Sequence, residues 1–126
     1  MKVKMLHTCI RVMNLEESLK FYKNALGLVE TRRKDFPEHK FTLVYLSDVP
    51  GGYEVELTYN YNPEVPYDLG NGFSHIAIAH DNIESLREKH SEMGYEVTDL
   101  KGLPGEKPHY YFVTDPDGYK VEVIRG

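Results

Sequence analysis

Polar and apolar residues alternate through LHTCIRV, residues 6–12, with Leu6, Thr8, Ile10 and Val12 on one side and His7, Cys9 and Arg11 on the other. That period of two predicts a strand over Met5–Val12 with one face turned to a core. The period then changes. Leu15, Leu19, Tyr22 and Leu26 recur at helical spacing and predict a helix with one largely apolar face, the Tyr22 hydroxyl reaching its edge. Asn14 is placed to cap its N-terminus, with Glu16 and Glu17 in the first turn, and Gly27 to end it. Three strands are expected next, near 28–34, 41–47 and 53–60, with SDVPGG as the tight turn before the last. The same order then recurs: a strand over 74–79, a helix over 82–93 ended by Gly94, and strands near 95–98, 109–114 and 119–125. DPDG, 115–118, carries Pro second and Gly fourth, the signature of a type I turn.

The recurrence extends to individual residues. When LHTCIRVMNLEESL is set above SHIAIAHDNIESL, His7 falls over His75, Asn14 over Asn82 and Leu15 over Ile83; a one-residue gap then brings Leu19 over Leu86. Gly27 lies over Gly94, and GYEVEL (52–57) over GYKVEV (118–123), which places Glu56 over Glu122. The chain therefore reads as two βαβββ modules, about 1–61 and 73–126, joined by a Pro-, Asn- and Gly-rich linker over 62–72. The expected class is α+β: one domain of two modules, forming curved mixed β-sheets with flanking helices.

Duplication of a stable unit accounts for matched apolar and turn positions. It does not account for matched polar residues on strands. Glu56 shares a strand face with Glu54, Thr58 and Asn60, opposite Val55 and Leu57, and Glu122 is set between Val121 and Val123. Carboxylates in such surroundings are costly unless paired or bound to a metal. If the first and last strands of each module are neighbours, each contributes one His and one Glu to a concave surface. Facing modules would then deliver His7, Glu56, His75 and Glu122 to one divalent cation. Nitrogen and oxygen ligands without thiolate suit Ni²⁺, Co²⁺, Zn²⁺ or Mn²⁺.

Composition narrows the surroundings. At 126 residues the chain fits one ordinary domain. Its net charge of −5 argues against nucleic acid and anionic membranes as partners. No apolar run approaches the roughly 20 residues needed to cross a bilayer. The opening MKVKMLHTCIRV lacks the apolar stretch of a secretory signal, and the single cysteine, Cys9, cannot form an intramolecular disulfide. A cytoplasmic location is expected.

The segments HTCIRVMNLEESLKFYKNALGL, VELTYN, GFSHIAI and DPDGYKVEVI together resemble glyoxalase I (lactoylglutathione lyase) of the vicinal oxygen chelate superfamily, over essentially the whole chain. The resemblance implies isomerisation of the hemithioacetal of methylglyoxal and glutathione to S-lactoylglutathione. It implies the metal ligands His7, Glu56, His75 and Glu122, with Glu122 as the principal base and Glu56 as a ligand that assists proton transfer. It places the grip on the γ-glutamyl end of the thiol on Arg11 and Asn60, each about 13 Å beyond a ligand on the same strand face at roughly 3.3 Å per residue. The compact form is similar to the Ni²⁺/Co²⁺-activated class rather than the Zn²⁺-activated one, and a homodimer is expected. One departure is Asn71, where longer members carry an Arg; Lys101 or Lys107 of the KGLPGEKP loop would then meet the glycyl carboxylate. His109 is a further residue close to that loop, whereas His39, His80 and His90 read as turn or exposed-helix residues, and Cys9 as packing near the cavity. The alternatives are another enzyme of the superfamily, such as a coenzyme A-ester epimerase, which typically carries Gln near the place of Glu56, or a metal-free drug-binding module, which needs no matched His and Glu.

Overall fold

A computed structural model describes all residues, 1–126. The chain divides into two compact units, Met1–Tyr67 and Asp68–Gly126. The first runs β1 (His7–Arg11), α1 (Leu15–Leu19) continued by a π-helical segment (Lys20–Ala25), β2 (Val29–Phe36), β3 (Phe41–Ser47) and β4 (Glu54–Asn60). The second runs β5 (His75–His80), α2 (Ile83–Glu92), β6 (Tyr110–Thr114) and β7 (Lys120–Arg125). Each unit builds its own mixed sheet, in the order β1-β4-β3-β2 and β5-β7-β6.

The first and last strands of each unit are neighbours, and they run parallel. The helix between them provides the crossover that parallel neighbours require. Their inward faces are apolar. Ile10, Val12, Val44, Leu46 and Leu57 are buried in the first unit, and Tyr111, Val113, Val121 and Val123 in the second. Each fully buried valine contributes roughly 1.5–3 kcal/mol through loss of apolar surface to water. Residues on the opposite strand faces are consequently the ones left to hold polar groups.

Both helices start as expected. The Glu17 N–H donates to Asn14 Oδ1 and the Ser85 N–H to Asn82 Oδ1, each at 3.1 Å. Gly27 and Gly94 follow the helices at φ +73° and +93°, where a side chain would be strained.

Four expectations are corrected. The first helix is α-helical only to Leu19; the Leu26 N–H then bonds the Phe21 carbonyl, five residues back. A π segment of this length is rare. The π segment buries Phe21, Tyr22 and Ala25, and Ser18 is buried on the α-helix before it, while Leu15, Leu19 and Leu26 are only half-buried. Tyr22 therefore lies wholly inside rather than at an edge. The strand expected near 95–98 reduces to single bridges, Val97 to Val113 and Lys101 to Tyr110. Thr98 explains part of this: its hydroxyl accepts the Phe112 N–H at 2.9 Å, so a side chain takes a bond that a continued ladder would use. Finally, His90 is fully buried on α2, its Nδ1 2.9 Å from the Tyr111 hydroxyl, and joins the helix to β6. His39 lies in a turn as expected, whereas His80 is the last residue of β5, half-buried and paired with Arg125 across the sheet, rather than in a turn or on a helix.

The caps make a direct stability prediction. Replacing Asn14 or Asn82 by Ala removes the acceptor for an end N–H and should cost about 1 kcal/mol each. Urea unfolding of the two variants checks this, and a midpoint equal to the parent's would show the caps to be dispensable.

Candidate functional site

The parallel pairings fix where the histidines and glutamates meet. In the first unit His7 pairs with Glu54 and Cys9 with Glu56, so Glu56 lies one diagonal step from His7 on the same face. In the second, His75 pairs with Lys120 and Ala77 with Glu122, which reproduces the same offset. The result is two matched pairs: His7 Nε2 lies 3.7 Å from Glu56 Oε2, and His75 Nε2 lies 3.2 Å from Glu122 Oε1. Nitrogen and oxygen donors that each bind one cation at about 2.1 Å, at near right angles, lie about 3 Å apart. Each pair therefore has the donor chemistry and roughly the spacing of two adjacent ligands. Neither unit by itself gathers a third His, Cys, Asp or Glu around its pair in a metal-binding arrangement.

Aromatic rings back both pairs. Across the antiparallel hairpin of each unit, Tyr45 pairs with Glu56 and Phe112 with Glu122. Each ring meets its histidine edge-on, with centroids 5.7 Å apart for His7–Tyr45 and 5.2 Å for His75–Phe112. Such contacts hold the imidazole planes as well as shielding them.

The two carboxylates differ in their neighbours. Burial pushes the Glu56 carboxyl up, but hydrogen bonds from Tyr45, Cys9 and Thr58, together with the charge of His7, outweigh it and leave the group below its ordinary range. Tyr45 responds in the opposite sense. Burial, the bond to Glu56 and that carboxylate's charge push the phenol up to about 12. It thus remains a hydrogen-bond donor at neutral pH. Cys9 Sγ lies 3.1 Å from Thr58 Oγ1, and burial raises its thiol above the usual value. A raised thiol is a poor nucleophile. Beside them Glu54 accepts from the Thr31 hydroxyl and from Arg32 Nη2, the latter at 3.1 Å, and the Thr31 bond leads the causes that lower its carboxyl.

The expected substrate residues take separate places. Arg11 ends β1 on the His7 face and is exposed. Asn60 ends β4, exposed, with its Nδ2 donating to the Tyr67 hydroxyl at 3.2 Å. Lys101 and Lys107 are exposed on the loop before β6, and the Lys101 backbone is bridged to Tyr110. His109 is exposed just before β6, and Asn71 in the turn before β5. Sequence reasoning passed over Tyr45, Phe112 and Arg32. The signal for the first two was an aromatic on the hairpin partner strand of each glutamate.

Residues 4–123 match the family described as Glyoxalase/Bleomycin resistance protein/Dioxygenase superfamily. Lactoylglutathione lyase of Neisseria meningitidis is 42% identical over 126 residues, covering 98% of this chain and 91% of that protein. Glyoxalase I from Zea mays superposes with a TM-score of 0.90 at 36% identity, over 98% of this chain and 44% of the maize chain. The trypanothione-dependent glyoxalase I of Leishmania major does so with a TM-score of 0.88 at 36% identity, over 98% of this chain and 86% of that one. Near-complete coverage by relatives of one activity, on a fold whose two sheets carry the same His–Glu register, places the chain in the glyoxalase I (lactoylglutathione lyase) family of that superfamily.

Proposed function

We propose that this protein isomerises the hemithioacetal of methylglyoxal and glutathione to S-lactoylglutathione, and that its two units act together as one glyoxalase domain. The observation that carries this reading is the repeated register, which sets one imidazole against one carboxylate in each unit at 3.7 and 3.2 Å. His7, Glu56, His75 and Glu122 would hold one divalent cation between them. The two carboxylates neutralise its charge, and the imidazoles favour Ni²⁺ or Co²⁺ as readily as Zn²⁺. Family resemblance in the compact form of the chain favours the first two. When bound, the cation supplies Lewis-acid stabilisation of negative charge developing on adjacent substrate oxygens.

The protein's own residues carry the proton and the orientation. Glu122 takes the proton from the substrate carbon that bears sulfur and returns it to the neighbouring carbon. The hydroxyl proton passes from the oxygen of the first carbon to that of the second, leaving a thioester carbonyl and a new hydroxyl. The net change is an isomerisation that consumes no oxidant or water. Glu56 stays in place as a charged ligand, held by its hydrogen bonds. Arg11 and Asn60 hold the γ-glutamyl end of the thiol, and Lys101 meets its glycyl carboxylate. The exposure of these three side chains in the structure supports that use. The active molecule is a homodimer working in a reducing cytoplasm. No helix in the chain is long and apolar enough to cross a membrane.

Two measurements test this reading. Glu122→Gln keeps the shape and hydrogen-bonding of the side chain but removes the base. It should lower turnover of the preformed hemithioacetal by roughly 10²–10⁴-fold, with an unchanged unfolding midpoint. A near-parental rate would remove Glu122 from its role. Metal-stripped protein should be inactive and regain turnover with Ni²⁺ or Co²⁺ more than with Zn²⁺ or Mn²⁺. Failure to regain turnover with all four would end the isomerase proposal.

A further inference from the structure

The two His–Glu pairs agree in register and differ in chemistry. Around Glu56, three corresponding positions bear hydrogen-bond donors: Tyr45 opposite it on β3, Cys9 opposite it on β1, and Thr58 two residues on along β4. Around Glu122 the same positions bear Phe112, Ala77 and Ile124, none with a side-chain donor. The polar cradle of one carboxylate is an apolar one for the other.

Tyr45 is the best fixed of the three donors. It is 5% exposed, and Arg32 Cζ sits 3.8 Å above its ring. Arg32 is in turn tied to Glu54 at 3.1 Å. It reaches that place because β2 slips its register between Glu30 and Arg32, at Thr31. A bulge of this kind re-aims the side chains that follow it. Thr31 itself donates to Glu54 and lies 3.2 Å from the Tyr45 carbonyl. The phenol is thus clamped by a guanidinium on its face, His7 at its edge and the sheet behind it.

We propose that Tyr45 is a positioning residue that pins Glu56 as the stationary carboxylate, and that Phe112 at the matching place is what leaves Glu122 able to move during the reaction. The inference rests on the reading that Glu56 and Glu122 serve one cation in an isomerase. It adds the reason why two glutamates on repeated strands do different work. The repeated strand register delivers two equivalent carboxylates, and an unequal pair of aromatic residues sets their roles. Loss of the Tyr45 hydroxyl leaves Glu56 with weaker hold, which weakens the cation site. A hydroxyl added at Phe112 gives Glu122 the restraint it lacks, which slows proton transfer.

The test uses the full chain as Tyr45→Phe and Phe112→Tyr. Metal-stripped protein is titrated with Co²⁺, and kcat and KM are read with the preformed hemithioacetal. Tyr45→Phe should weaken Co²⁺ binding roughly tenfold, the scale expected for one lost hydrogen bond to a carboxylate, with KM for the hemithioacetal unchanged. Phe112→Tyr should lower kcat at least tenfold while Co²⁺ binds no more weakly than in the parent. Parental Co²⁺ affinity in Tyr45→Phe overturns the inference, whatever happens to its unfolding midpoint, because a merely structural tyrosine would shift stability alone. Parental kcat in a folded Phe112→Tyr variant overturns it equally. Both failures are distinct from failure of the isomerase reading, which would appear as a parent protein without cation-dependent turnover.

Discussion

Parallel pairing between the first and last strand of each unit is the constraint on which everything else depends. Side chains on parallel neighbours share a face only in one alternation. A slip of a single residue would send Glu56 or Glu122 into the apolar interior beside Leu57 or Val123. The register is therefore held by the core. Val121 and Val123 are fully buried on one side of β7, which obliges Glu122 to the other, and Val55 and Leu57 do the same for Glu56. Burial of ordinary valines and leucines thus aims two acidic groups at two histidines.

The same duplication that repeats this geometry does not repeat its electrostatics. Glu56 lies among hydroxyl and thiol donors, close to an Arg32–Glu54 pair; Glu122 lies among Phe112, Ala77 and Ile124, with Lys120 where the first unit has Glu54. A carboxylate that accepts several hydrogen bonds is stabilised as the anion and loses mobility. One set among Phe112, Ala77 and Ile124 has no side-chain donor at those positions to restrain it. An isomerase that moves one proton between adjacent carbons gains from having one carboxylate of each kind.

Much of this was legible in the sequence because it is written in periodicity and in matched polar residues. His7 over His75 and Glu56 over Glu122 stood out against a background of matched apolar positions, and Asn14 and Asn82 marked both helix starts. The parts that were not legible depend on contacts between elements distant in sequence. The π segment after Leu19 has no signature in LEESLKFYKNA, whose spacing also fits an α-helix; the segment buries Phe21 and Tyr22 side by side, a contact no local pattern records. His90 reads as a surface residue until Tyr111 is seen against it. The role of Tyr45 depends on a register slip at Thr31, and no local pattern announces it.

On the proposed reading, the two His–Glu pairs serve one cation. X-ray absorption at the cobalt edge of the Co²⁺-loaded protein tests it most directly. The expected spectrum carries the multiple-scattering signature of two imidazoles, with oxygen completing the shell, at one cobalt per chain. A single imidazole per cobalt, a sulfur neighbour from Cys9, or two cobalt ions per chain would contradict it.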